Sequence, residues 1–413
     1  MKAIIITIGD ELLIGQVINT NAAYIAEKLN TVGVEVQRMI TISDDEVDII
    51  KTFQENYVDN DLLIVTGGLG PTHDDITKKA ICKFFDTDLV ISQEAISDIK
   101  TFLQKRNYSW TPSAEEQALV PRGAQIIPNK NGTAPGIIIE QHNKFFVALP
   151  GVPHEMEAMI QDFVLPLFRN KSVGKVILHR TLKTTGIAES ILAERIGNLD
   201  QILKMGKLAF LPSPLGVNLR LSVIDSDPQA AQSKVSAMES SIRKKADKFI
   251  YGVDDETLEE IVGRLLRERK LTIAIAESCT GGIIAHRISN VPGCSEYFER
   301  GIIAYSNQSK IDILQVPQEL IEKHGAVSEE VVKSMALGVR QIAETDIGLS
   351  TTGIAGPTGG TAEKPVGLVW IGYSDKNGTI ALKHHFGDNR LRVKERSAQA
   401  ALNLVRKRLL QIE

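Results

Sequence analysis

Cysteine is nearly missing from this chain, with only Cys82, Cys279 and Cys294 among 413 residues. So sparse and odd a set excludes a disulfide framework and fits a reducing compartment. Aromatic residues are also few, at 5 % with two tryptophans, which leaves little material for a surface that stacks unpaired bases. No sign of charge dominates. The net value of −4 removes any bulk attraction to nucleic acid or to an anionic bilayer. Apolar runs stay well short of the roughly 20 residues that span a membrane. The opening MKAIIITIGDELLIG enters a strand pattern at once, without the layout of a signal peptide. These absences point to a cytoplasmic protein that makes no use of membrane or nucleic acid.

What is present is ordinary globular material, 43 % hydrophobic and 24 % charged, in a chain long enough for two or three domains. AIIITIG (3–9), VEVQRMITI and DLLIVTGG (61–68) read as strands, separated by helical patterns over 21–30 and 46–60. The order predicts an open α/β sheet with right-handed crossovers, whose ligand sits outside the carboxyl ends of its strands. Three such ends carry Asp10 with Glu11, Asp44 with Asp45, and the run TGGLGPTHDD. Glycines there allow close backbone approach, and the helix that follows offers free amides to a phosphate. His73, Asp74 and Asp75 suit a divalent cation beside it. Strand-ending turns and helix caps would account for the same residues. Further on, NGTAPG places Asn131, Gly132 and Thr133 in a loop, and LPGVPHEM brings Glu155 to the start of a helix.

A small α+β unit is expected next, with a strand at 175–186, a hairpin around Pro212–Gly216 and a helix opened by Asp227 and Pro228. The last third centres on LTIAIAES (271–278) followed by CTGG and a helix. This is a buried strand that ends in Ser278 and a glycine turn. A serine hydroxyl needs a base to become a nucleophile. His286, His324, His384 and His385 lack a telling Asp spacing. Lys310, at the end of the apolar run GIIAYSNQSK beside Tyr305, would serve if burial lowers its pKa. Residue types alone leave histidine and lysine open, and they leave Ser278 readable as a helix cap and Cys279 as either thiol nucleophile or small buried filler. DIGLSTTGIAGP predicts another strand that ends in a glycine loop, whose Thr352, Gly353, Ala355 and Gly356 offer amides to an anion. The closing helix begins with Arg390, Arg392, Lys394 and Arg396, against its own dipole, which suggests that some of them face an anion.

GDELLIGQ, TGGLGPTHDD, NGTAPG and LPGVPHEM resemble the N-terminal domain of the CinA family, which is similar to the molybdopterin-binding fold of MoaB, MogA and MoeA. AESCTGG, FERGIIAYSNQSK, HGAVSEEVV and TGIAGPTGG resemble the PncC domain that forms the C-terminal half of CinA proteins. The resemblance implies an N-terminal MoaB/MogA-like α/β domain over 1–170, a KH-like α+β connector over 171–252 and a C-terminal α/β amidase domain over 253–413. For the first domain it implies ADP-ribose hydrolysis with a divalent cation such as Mg or Co, and with K+. Metal ligands would be Asp10, Asp44, Asp74 and Asp75. Substrate contacts would come from Gly9, Glu11, Thr66, Gly67, Gly68, Gly70, Pro71, Thr72, Asn131, Gly132 and Glu155. For the last domain it implies metal-free hydrolysis of nicotinamide mononucleotide (NMN) to nicotinate mononucleotide and ammonia. The nucleophile and base fall on Ser278 and Lys310, with Tyr305 in support. Cys279, Thr280 and Gly281 would hold the reacting amide, Thr352, Gly353, Ala355 and Gly356 the nucleotide, and Arg390 or Arg392 the phosphate, since GDNRLR carries an inserted residue. A homodimer is expected from the same likeness. The connector's turn Gly186-Ile187-Ala188-Glu189 lacks the second glycine of a nucleic-acid-clamping KH loop, and Lys244, Lys245 and Lys248 read as a solvated face. The competing expectations are a role in molybdenum cofactor synthesis, a non-catalytic partner in DNA uptake or repair, and a protein with only one active half.

Overall fold

A computed structural model describes residues 1–72, 75–169, 171 and 176–412. The chain divides into two compact units, Met1–Leu178 with Val223–Gln232, and His179–Ser222 with Ser233–Glu413. The first unit carries a six-stranded mixed sheet. Lys2–Ile8 lies between Glu35–Ile42 and Leu62–Thr66, parallel to both. Lys144–Leu149 continues the parallel set beside Leu62–Thr66, and Gly136–Gln141 and Gln125–Ile127 add two antiparallel strands. The near-continuous apolar runs of the central strands are explained by burial on both faces. Ile5, Ile64 and Val147 belong to one core, and Ile6, Val65 and Phe146 to the other.

The expected connector has its own four-stranded sheet, ordered Lys207–Ser213, Gly216–Asp225, Val176–Thr184, Ile250–Val253. Most of it falls in one compact unit with the C-terminal residues. In the C-terminal part a five-stranded sheet runs Phe298–Ile303, Ile273–Glu277, Ile347–Gly353, Leu368–Asp375, Gly378–His385. The first three are parallel and the last two antiparallel.

The alternation in TIAIAES has a packing cause. Ile273 and Ile275 face the helices Leu258–Arg269 and Arg390–Leu410, while Ala274 and Ala276 face Met335 and Val339 on the helix Glu329–Ile342. Small side chains on that side let this helix lie close. At Gly348 a Cβ would come within 2.0 Å of the Ala336 carbonyl. Ser328 caps the helix as its sequence predicts. The helix Leu258–Arg269 begins after the acidic pair Asp254 and Asp255. Its cap is Thr257, locked to Glu260 in a reciprocal pair that satisfies two amides at once. No helix among the described residues is long and apolar enough to cross a membrane.

Candidate functional site

The carboxyl ends of the three parallel C-terminal strands converge on a cavity of about 190 Å³ lined by Ser278, Cys279, Tyr305, Lys310, Thr352 and Arg390, among others. Ser278 follows directly on the buried strand Ile273–Glu277, and its amide donates to the Thr351 carbonyl of the neighbouring strand at 3.0 Å. The segment Gly301–Lys310 is not one strand that delivers Tyr305 and Lys310, as the apolar run suggests. The strand ends at Ile303, Ser306 caps the helix Asn307–Asp312, and Lys310 projects from that helix. Ser306 and Ser309 favour this stop because a serine oxygen satisfies the first free amides of a helix.

Lys310 is 1 % exposed. Its Nζ lies 3.1 Å from Ser278 Oγ, 2.8 Å from the Ala304 carbonyl and 3.1 Å from the Tyr305 carbonyl. Burial lowers the pKa of this amine. A neutral amine has two N–H donors and one lone pair. The two nearer carbonyls match the donors, with the Ser306 carbonyl third at 3.4 Å, and the lone pair is left for the serine hydroxyl. Cys279 fills the wall beside it. Burial pushes its thiol up to about 12, so it stays protonated near neutrality, and the amine's hydrogen bond is made with Ser278 instead.

The glycine turn carries a group that the motif reading passed over. Glu277 is 1 % exposed, and its carboxylate accepts from the amides of Gly282 at 2.9 Å, Ile284 at 3.2 Å and Ala285 at 2.8 Å. It thus occupies the start of the helix Ile283–Ser289, while the Gly281 amide donates to the Ser278 carbonyl. With the Gly281 and Gly282 amides so engaged, the Cys279 and Thr280 amides are the two of the CTGG turn with no hydrogen-bond acceptor among the described residues.

Arg390 resolves into a definite place. It donates to the Gly356 carbonyl at 2.8 Å and to the Tyr305 hydroxyl at 3.0 Å, and it lines the cavity. Arg392 does not line it, and its amide bonds the Asn389 cap. Gly353 and Ala355 also line the cavity, whereas Gly356 contributes through its hold on Arg390. Thr280 is turned inward onto Thr351, and Gly281 lies outside the lining. Thr352 lines the cavity while its hydroxyl donates to the Ala326 carbonyl. The histidines fall elsewhere: His286 contacts Asn290 and His324 contacts Glu330.

A second cavity, of about 420 Å³, opens at the carboxyl edge of the N-terminal sheet. It gathers Gly9, Glu11, Asp44, Gly67, Gly68, Gly70, Pro71, Asp75 and Glu155 from the expected set. At Gly67, φ +110° and a carbonyl of Ile8 only 2.2 Å from any added Cβ leave room for no other residue. Gly132 abuts the Glu155 carboxylate in the same way, at 2.3 Å from an added Cβ. Asn129, not foreseen, orients that carboxylate at 2.6 Å. Several other expected residues are engaged by neighbouring groups. Thr66 is buried and donates to the Pro150 carbonyl, Thr72 bonds Asp75, and Asn131 bonds Asn129 and His154. Asp10 and Asp44 exchange backbone-to-carboxylate bonds, with Asp10 outside the lining. His73 and Asp74 lie outside the described residues.

The fit to a cation can be judged from this donor set. The Asp44 carboxyl is raised, first by burial and then by the charges of Asp10, Glu11 and Asp75. Such crowding is what a hard divalent ion relieves. Among the described residues no three acidic, histidine or cysteine side chains converge closely enough to hold an ion by themselves. A divalent cation held there would complete its shell with water or substrate phosphate oxygens.

Comparison with known proteins follows from both halves. Residues 4–170 match a probable molybdopterin binding domain, 179–252 the damage-inducible protein CinA KH domain, and 255–409 the CinA C-terminal domain. A putative competence-damage inducible protein of Caldicellulosiruptor saccharolyticus is 43 % identical over 410 residues, covering 99 % of this chain and 100 % of that one. The chain belongs to the CinA family. A CinA-like protein of Chloroherpeton thalassium is 45 % identical, with 99 % of each chain covered. A crystal structure of competence/damage inducible protein CihA from Agrobacterium tumefaciens is 35 % identical and covers 36 % of this chain and 93 % of that one, with a TM-score of 0.35. Family membership thus agrees with the order of domains expected from the motifs.

Proposed function

We propose that the C-terminal part is an amidase that hydrolyses NMN with Ser278 as nucleophile and Lys310 as base. The observation that carries the reading is the buried 3.1 Å pair of Lys310 Nζ and Ser278 Oγ, with the amine's other donors absorbed by carbonyls. Neutral Lys310 takes the hydroxyl proton as Ser278 Oγ bonds to the carboxamide carbon. Negative charge develops on the carbonyl oxygen, and the Cys279 and Thr280 amides are the donors left to receive it. Lys310 returns the proton to nitrogen, the carbon–nitrogen bond breaks and ammonia leaves. Water, deprotonated by the same amine, then cleaves the ester, giving nicotinate mononucleotide and free Ser278. Arg390, beside the cavity mouth with Tyr305, is placed for the substrate's phosphate.

For the N-terminal half the reading is a metal-assisted hydrolase of a pyrophosphate such as ADP-ribose. Asp44, with Glu11 and Asp75 on the same wall, would hold a divalent cation whose part is to offset phosphate charge. Gly67, Gly68 and Gly70 let the substrate approach the backbone, and Glu155, fixed by Asn129, is a carboxylate available to orient water. A monovalent ion such as K+ and a homodimeric assembly belong to the same proposal. Incubation of the full-length protein with NMN and with ADP-ribose, each with and without EDTA, separates the halves. Ammonia release should survive chelation and ADP-ribose cleavage should not. Loss of both reactions to EDTA, or absence of ammonia in every tube, would overturn the assignment.

A further inference from the structure

A cavity larger than the one at Ser278 lies elsewhere in the C-terminal unit. It measures about 690 Å³, within the range of small-molecule sites, and shares no lining residue with the Ser278 cavity. One wall is a face of the long helix Arg390–Leu410, where Arg396, Gln399, Asn403 and Lys407 recur at helical spacing. Each presents hydrogen-bond donors. The amide orientations are fixed, because Gln399 Oε1 accepts from Arg287 at 2.9 Å and Asn403 Oδ1 accepts from Arg406 at 3.0 Å. An arginine cannot accept, so both NH₂ groups point away from these contacts. The Gln399 residue is 3 % exposed and its Nε2 has no partner. Leaving such a donor buried and unmade is unfavourable. Asn403 Nδ2 faces Gly186, 3.3 Å from where a Cβ would stand.

The opposite wall is the turn Gly186-Ile187-Ala188-Glu189, which opens the helix Glu189–Ile196. Ala188 supplies no side-chain cap, so the first amides of that helix are left for another acceptor. Glu189 is the one carboxylate on the lining, which also carries Lys407 and Arg396. Arg396 donates through Nε to the Pro214 carbonyl at 3.1 Å and through one terminal nitrogen to the Phe386 carbonyl at 3.5 Å, leaving its other terminal nitrogen for a ligand. A third side is aromatic: His384 and Phe386 stack at 5.1 Å and 11°, and His384 Nε2 is likewise buried without a partner. Burial lowers the pKa of this imidazole, which favours the neutral ring.

An acceptor-rich group next to a planar ring would satisfy this lining. We infer that the cavity is a second nucleotide site, which takes a nucleoside monophosphate with its phosphate toward Arg396 and Gln399 and its base toward the His384–Phe386 side. It is separate from the proposed amidase site and does not depend on that reading. Full-length protein titrated with AMP by calorimetry tests it. Gln399→Glu and Asn403→Asp keep the oxygens that serve Arg287 and Arg406 and replace only the NH₂ donors. Each should weaken AMP binding at one site per chain at least about tenfold, close to 1.4 kcal/mol, with the melting temperature retained. Glu155→Gln and Ser278→Ala should leave that site's isotherm unchanged. The inference is overturned if the double variant binds AMP as the parent does, or if adenosine or inorganic phosphate binds there as tightly as AMP. It is also overturned if single-stranded RNA binds at this site and AMP does not.

Discussion

The two candidate sites are built on the same plan and arrive at opposite chemistry. Each sits at the carboxyl edge of parallel strands, beside a glycine turn that leads into a helix. In the C-terminal sheet the chain after the neighbouring strand folds at once into a short helix, and this buries an amine against a hydroxyl. In the N-terminal sheet the strand ends carry carboxylates around an open cleft. On the proposed reading, burial would make a lysine a base and accumulated negative charge would make a cation site. The architecture would then set the place, and the local dielectric and charge would set the chemistry.

The sharpest way to break this contrast is to strip one site and watch the other. Ser278→Ala should lower ammonia release from NMN on the order of 10⁴-fold or more while ADP-ribose cleavage is kept. Lys310→Arg should do the same, since a guanidinium stays protonated. In the parent protein the amidase rate should climb with pH as the neutral amine is populated. The midpoint should lie below the lysine's usual value, because burial lowers it. A pH–rate profile flat across neutrality would count against Lys310 as base. Next in size, Arg390→Ala should raise KM for NMN about tenfold with kcat little changed, and Arg392→Ala should not. Equal effects from the two arginines would remove the phosphate role given to Arg390.

Smaller effects probe the mounts. Glu277→Gln exchanges a carboxylate that serves three amides for a neutral group, and should cost about 2 kcal/mol, or ~5 °C in Tm, by calorimetry. In the N-terminal half, burial pulls Lys78 down to about 8 from 10.5. Between those values the unfolded chain binds more protons than the native one, so this lysine costs stability below pH 8 and the cost fades as pH rises through the window. Lys78→Met should therefore stabilise at pH 7 by ~1–3 kcal/mol, with a gain that shrinks toward pH 10. A gain that grows with pH would refute the assignment.

Strands such as 3–9 and 271–277 were legible because burial on both faces leaves an apolar run with few alternatives. Ser278 was legible as the residue between such a run and a glycine pair. Lys310 as base was not readable from spacing. Its helix is only six residues long and gives no periodic signal, and the likeness to a known family supplied the choice over His286. Glu277 could have been noticed, since an acid that closes a fully buried strand needs donors. Asn129 could not. It acts on a carboxylate 26 residues away, and only the fold brings the two together. Thr66 turns inward onto the Pro150 carbonyl because alternate residues of a strand face opposite ways, whereas a motif groups residues by sequence alone.

Glu277 has a consequence for timing as well as for stability. Its grip on Gly282, Ile284 and Ala285, together with the Ser278 amide's bond to Thr351, clamps the backbone on both sides of Ser278. That backbone therefore has little freedom left to surrender. If Ser278 attacks as proposed, its ordering is completed once, as the chain folds, and is not repeated at every turnover.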